Sequence, residues 1–270
     1  MTRTTRPLIG INMHIASETR SKHGHEVLRP ECSYLESAYT NTLTEAGAEC
    51  VLLPPAGESA PSILGALDGL VMIGGDDYDP YLQGFRRTSW NLRTIPTRQE
   101  LFDRALIEAA RKRRLPLLAI GAGMQLLNVV CGGTLSFEIG EDFPNAHKHV
   151  EPCDAMIRHA IVIADDRESC MKESFFSKQQ IRYEQHAERF ITSQHHQCVD
   201  DVAHGFFATA HSADGIVEAI ESTDRDWLAV GVQFHPESAM ADEIERKVFE
   251  TWTNRVHYGV QNSGMEKVPC

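Results

Sequence analysis

The chain has 270 residues, 42% hydrophobic and 24% charged, a balance that suits one large globular α/β domain, or two small ones, with a substantial core. Its net charge of -12, from 38 acidic against 26 basic residues, disfavours nucleic acid or an anionic membrane surface as a partner. No apolar run approaches the ~20 residues of a membrane span, and residues 1–7 lack the apolar core of a signal peptide, so a cytoplasmic location is expected.

Residues 7–13 form a short apolar run suited to a buried parallel strand. Residues 14–31 are polar, with scattered histidines and no period, and read as a long excursion of the kind that covers a site. Helical spacing predicts a helix over 33–46, and Gly47 suits the left-handed residue just past its end. A second strand over 50–53 stops at Pro54 and Pro55. A third, over 70–73, runs into Gly74-Gly75-Asp76-Asp77-Tyr78-Asp79-Pro80. An amphipathic helix over 98–113 buries Leu101, Phe102, Ala105, Leu106 and Ala109, and the basic run 111–114 is its solvated end. After Leu135 the period shortens to strand-like runs at 157–164, 190–193, 206–211, 215–221 and 227–234, followed by a helix over 242–256. Alternating strands and helices, then a run of strands, predict a single α/β domain: a doubly wound, mostly parallel sheet with helices on both faces and an antiparallel extension. Its core spans about 7–256, with a loose tail over about 259–270.

The organising stretch is 117–133. It passes from an unbroken apolar run through Gly121 and Gly123 into helical spacing, which reads as a strand, a very tight turn and a helix. Such a turn lifts one residue onto a strained position at a helix N-terminus, where free amides and the helix dipole favour developing negative charge. Enzymes place a nucleophile there, and here the position is Gly121, which carries none. Gly74 and Gly75, directly after a buried strand, form a plain tight turn or allow the backbone to approach a ligand with its amides turned outward, and the segment alone favours the turn. His235 and Glu237, split by Pro236, have the spacing by which a carboxylate orients a general base and stabilises its cation. His195 and His196 at a strand end point to opposite faces, so at most one lines a pocket. The histidine pairs 23/25, 147/149 and 195/196 lack helical zincin spacing and read as surface or hydrogen-bonded groups. Seven cysteines without a C-x-x-C pair do not form a disulfide framework or structural zinc pattern, and most of them read as buried thiols. Cys131, ten helical residues past Gly121, lies roughly 15 Å from it, and Cys198 lacks the alignment of the turn.

Together and in this order, these motifs resemble the class I glutamine amidotransferase-like hydrolases, especially the γ-glutamyl-γ-aminobutyrate hydrolase branch. There the elbow runs I-C-R-G-x-Q-x-x-N-V and then G-G-T-L, matched by Ile120, Gly123, Gln125, Asn128, Val129, Gly132, Gly133, Thr134 and Leu135. The loop G-G-G-D-x-D-P is matched by Gly74, Gly75, Asp77, Asp79 and Pro80, and G-x-Q-x-H-P-E by residues 231–237. N-S-x-H-H-Q is matched by Ser193, His195, His196 and Gln197, and D-G-x-x-E-A-x-E by residues 214–221. The resemblance covers nearly the whole chain, from Pro7 to about Arg255. Gly121 stands at the cysteine position, Ala122 at the arginine, Asp76 at the third loop glycine and Thr192 at the asparagine, the last a change at an expected substrate contact.

The resemblance implies a flavodoxin-like three-layer sandwich. It implies a site with His235 and Glu237 as catalytic groups beside a vacant nucleophile position at Gly121, and an oxyanion hole from the amides of Gly75 and Ala122. Ligand contacts are expected from Gly74, Asp76, Gln125, His195, His196 and Gln197, with no metal and no cofactor. The expected partners are a small amino-acid-like or γ-glutamyl ligand, a protein partner or a second copy of the chain, and neither nucleic acid nor membrane. The leading function is a non-catalytic hydrolase homologue that binds such a ligand or partner. The alternative is an amide hydrolase in which His235 and Glu237 activate water, or in which His235 holds a metal with His195 or His196. A glutaminase subunit of a synthetase needs a thioester and ranks last.

Overall fold

The computed structural model describes residues 6–16, 19–22, 25–28, 31–57, 60, 62–82, 92–151, 155–164, 168–176 and 189–263. Nine strands form one sheet: β1 (Leu8–Asn12), β2 (Glu49–Leu53), β3 (Gly69–Met72), β4 (Leu117–Ile120), β5 (Ile157–Ile163), β6 (Arg189–Ser193), β7 (Phe206–Ser212), β8 (Val217–Ser222) and β9 (Ala229–Val232). Their order is β6-β5-β7-β8-β9-β4-β3-β1-β2. The five strands β9-β4-β3-β1-β2 are parallel, and the other four pair antiparallel as the expected extension.

The α-helices among the described residues are α1 (Ser37–Glu45), α2 (Thr97–Arg113), α3 (Ala122–Val130), the single turn α4 (Ile139–Asp142), α5 (Cys170–Phe175) and α6 (Glu243–Ser263). Because a strand alternates its side chains, β4 feeds both layers: Leu117 and Ala119 join the cluster with Phe102 and Leu106 of α2 and Met124 and Leu127 of α3. Leu118 and Ile120 join the opposite cluster, with Leu43 of α1, Phe175 of α5, and Val248 and Trp252 of α6. The result is the predicted three-layer sandwich. Gly47, at φ 92°, takes the left-handed position just past α1.

Two expectations are corrected. Helix α6 runs on to Ser263, so 259–263 of the predicted loose tail is helical; Val248, Trp252 and Val256 anchor the helix, and each further residue then costs little to add. Residues 264–270 of that tail, and His23 of the pair 23/25, lie outside the described residues. The polar excursion after β1 contains two short antiparallel pairs, His14–Ala16 with Cys32–Tyr34 and Thr19–Lys22 with His25–Leu28. Their register rests on backbone hydrogen bonds and leaves no apolar period to read.

Candidate active site

Strands β3, β4 and β9 are adjacent and parallel, so the Gly74-Gly75 loop, Gly121 and His235 all emerge at one carboxyl edge. Gly121 has φ 55° and ψ -121°, the strained turn expected between strand and helix. Its own amide donates to Val232 O at 2.8 Å, and its carbonyl accepts from Met124 N at 3.0 Å and Gln125 N at 3.2 Å. The amides of Ala122 and Gly123 head α3, where no intrahelical acceptor exists. A Cβ on Gly121 would stand 3.4 Å from His235 Nε2 and 3.1 Å from its Cε1.

His235 is buried, and its Nδ1 lies 2.8 Å from Glu237 Oε1. That contact fixes Nδ1–H as the donor to the carboxylate and turns Nε2 toward the Gly121 position. Burial lowers the His235 pKa, but the charge and hydrogen bond of Glu237 outweigh it and the net shift is upward. The histidine backbone is held too, its amide donating to Thr192 O at 2.9 Å. Tyr39 of α1 reaches the same place: its hydroxyl accepts from Gly74 N at 3.2 Å. Burial and the Glu237 carboxylate hold that hydroxyl well above the ordinary tyrosine pKa, so it stays protonated.

The glycine loop is clamped from below. Asn12, at the end of β1, accepts from Ile73 N at 2.8 Å through Oδ1 and donates to Asp103 Oδ1 at 3.0 Å. Tyr78 donates to Asp103 Oδ2 at 3.2 Å. Burial raises the Asp103 carboxyl to about 7, against the hydrogen bonds from Asn12 and Tyr78. His14 Nε2 lies 2.8 Å from Gly74 O, and its Nδ1 lies 3.1 Å from Gln99 Nε2. An amide nitrogen only donates, so His14 is the neutral Nε2–H tautomer, in keeping with a pKa that burial lowers. Its ring lies so close to Gly75 that an added Cβ would sit 2.2 Å from Cε1, which is why glycine is required there.

Asp76 stays near the loop, and its charge reaches His14 and Tyr34. Glu36, just before α1, adds a second acid whose charge reaches His14 and His235. Asp77 turns inward instead, Oδ2 accepting from Arg93 N at 2.8 Å and Oδ1 lying 3.0 Å from His196 Nε2. The two strand-end histidines do face apart. His196 lies between Asp77 and Glu138, whereas His195 directs Nδ1 at Gln197 O (2.8 Å) and Nε2 at His149 (3.2 Å). Neither histidine directs a nitrogen at His235, His195 Nε2 facing His149 and both His196 nitrogens facing carboxylates, so the expected metal shared with His235 does not find its ligands here. Gln125 donates to Gln197 O at 3.2 Å and Gln233 Oε1 at 3.1 Å. Ligand contacts from Gln125, His195 or His196 would have to displace these bonds, whereas Gln197 enters them only through its backbone carbonyl and its side-chain Nε2 has no hydrogen-bond partner among the described residues.

Three further placements bear on the expectations. The Thr192 hydroxyl faces Glu245 and its amide donates to Glu245 Oε1 at 2.6 Å, so the change at the asparagine position serves the contact with α6 rather than a ligand. Cys131 and Cys198 are buried thiols, pushed by burial to about 11 and about 12. A surface hollow of about 630 Å³ lies at Arg111–Arg114, His204 and Trp227, at the basic end of α2, and contains none of the residues just described. His14, Tyr39, Asn12, Gln99 and Asp103 were missed by the sequence reading. His14 had a signal, since it follows β1 by two residues and so lies at the carboxyl edge.

The strained turn thus places Gly121, which has no side chain, beside the oriented His235–Glu237 pair. The profile of the family Peptidase C26 matches residues 7–237. The chain belongs to the Peptidase C26 family. It is 30% identical over 227 residues to the glutamine amidotransferase-like protein YvdE of Lactococcus lactis, covering 82% of this chain and 89% of that one. It is 28% identical over 232 residues to the γ-glutamyl-γ-aminobutyrate hydrolase PuuD of Escherichia coli, covering 80% of this chain and 84% of that one. A GMP synthase-type protein of Thermoplasma acidophilum, known from its crystal structure, shares the fold, with a TM-score of 0.60 at 15% identity, over 98% of this chain and 100% of the other. This Peptidase C26 chain is thus a member of the class I glutamine amidotransferase-like superfamily.

Proposed function

We propose that this Peptidase C26 protein is a γ-glutamyl hydrolase homologue that binds a small amino-acid-like or γ-glutamyl ligand, or a partner presenting such a group, without covalent turnover. The observation that carries the reading is Gly121. The turn, the oriented base and the helix amides are in place, yet the position 3.4 Å from His235 Nε2 has no nucleophilic atom. Oxyanion donors and positioning alone sustain roughly 10³ to 10⁴ over the uncatalysed rate, too little for metabolic turnover. The acids Glu36 and Asp76 favour γ-glutamyl amides, which lack the γ-carboxylate charge, over free glutamate.

A second reading has its own support. His235 Nε2 faces the volume a side chain would fill, so the dyad could activate a water there. Calorimetric titration with γ-glutamyl amines, alongside an assay for released amine or ammonia, separates the two. Saturable binding with no release supports the ligand-binding reading; steady multiple turnover transfers the assignment to the water-activating hydrolase. Neither binding nor release leaves only a scaffolding role.

A further inference from the structure

Apart from the dyad, three buried side chains and one half-buried one, His159, converge on one point from separate parts of the chain. His149 lies in the loop after α4, His159 on β5, His195 just past β6 and Glu218 on β8, and one ligand atom from each lies within 4.8 Å of all the others. His149 Nδ1 is 3.2 Å from His195 Nε2 and 3.2 Å from Glu218 Oε1. Glu218 Oε1 is also 3.4 Å from His159 Nε2 and 3.5 Å from His195 Nε2. A tetrahedral ion with bonds of ~2.0–2.1 Å spaces its ligand atoms ~3.3 Å apart, and these four separations match that edge.

The outward-facing nitrogens decide which lone pairs point inward. His149 Nε2 lies 3.1 Å from Asp214 Oδ2, His195 Nδ1 lies 2.8 Å from Gln197 O, and His159 Nδ1 lies 3.2 Å from Ala160 O. Each outer nitrogen thus carries its hydrogen toward an oxygen, so an unprotonated ring presents its lone pair to the centre; burial lowers the His149 pKa, but the Glu218 and Asp214 carboxylates outweigh it and the net shift is upward. Two such lone pairs 3.2 Å apart repel unless a cation lies between them. A proton on His149 Nδ1 would relieve that pair and face Glu218 Oε1 at 3.2 Å, but His159 Nε2 and the second oxygen of fully buried Glu218 would still lack hydrogen-bond partners among the described residues.

We propose that His149, His159, His195 and Glu218 form a four-coordinate site for a divalent metal ion, with zinc the ion that best fits three imidazoles and one carboxylate. The chain fills all four positions, so the site is of the closed, structural type and pins the 143–151 loop to the antiparallel half of the sheet. That loop is already aligned, because His149 O accepts from Ser193 Oγ at 2.7 Å and from His195 N at 3.3 Å.

The test uses the full chain, purified without chelator for metal analysis, then stripped and titrated with zinc against a chromophoric chelator. Expected are one equivalent of zinc bound with Kd below ~1 µM, a lower melting temperature after stripping that zinc restores, and a tetrahedral visible spectrum with cobalt. Glu218→Gln and His159→Asn should each weaken binding by at least about tenfold, as loss of one ligand requires. A folded wild-type chain that binds neither zinc nor cobalt above the micromolar range overturns the proposal without recourse to any variant. So does unchanged affinity in a folded Glu218→Gln protein.

Discussion

Single side chains at this site are set by their neighbours' charge and burial, and two can be checked by titration. Glu237 raises the pKa of His235 against the effect of burial, so the stabilisation this pair adds is complete below the ordinary histidine value and fades as pH climbs through the raised one. Imidazole NMR should show His235 titrating above a free histidine, and Glu237→Gln should move it down; no movement would detach the carboxylate from the base. Asp103 has the opposite chemistry with the same sign. Its carboxyl rises from 3.8 to about 7, so the folded state holds a proton that the unfolded chain has released in between. Stability should therefore fall as pH rises across that window, and the urea unfolding free energy of Asp103→Asn should lose this slope while dropping by about 1–3 kcal/mol for the misplaced hydrogen bond. A slope that persists in the variant would assign it to another group.

The elements that apolar pattern defines were legible, and those that polar contacts define were not. β4 announces itself as Leu-Leu-Ala-Ile with every residue buried, and α2 shows its face through Phe102 and Leu106. The short pairs between residues 14 and 34 have no apolar period in the sequence and were not legible there. Helix α6 belongs to the first kind: Val248, Phe249, Trp252 and Val256 are all buried against the sheet face shared with α1 and α5. Trp252→Ala should cost about 3–5 kcal/mol in urea unfolding, the range for removing a fully buried large aromatic. A loss under ~1 kcal/mol would mean that the helix is not docked as described.

For the molecule as a whole, the two apolar layers share one sheet, and β4 contributes to both. One cooperative transition is expected, with far-ultraviolet and tryptophan signals coincident on heating; separated midpoints would contradict a single domain. The site was half legible for a physical reason. Gly74, Gly75, Gly121, His235 and Glu237 lie in short stretches whose spacing along the chain fixes their chemistry. His14, Tyr39 and Asp103 reach the site through partners between 25 and 85 residues away, and no local pattern encodes such contacts. The histidine cluster is the same case, since His149, His159, His195 and Glu218 meet only once four segments have folded together.

The central claim is that the activating surroundings of a nucleophile survive at a position that now lacks one. The most direct measurement is the alkylation rate of the thiol in Gly121→Cys, with hydrolysis of γ-glutamyl amides followed in parallel. A thiol there would lie beside His235 and at the N-terminus of α3, both of which favour thiolate, whereas burial keeps Cys131 and Cys198 protonated. The φ of 55° and the 3.1 Å approach to His235 should cost the variant about 1–3 kcal/mol of stability. The account predicts alkylation of the new cysteine well ahead of the native ones, with measurable amide hydrolysis. A new thiol as slow as the buried cysteines, in a folded protein that hydrolyses nothing, would contradict it.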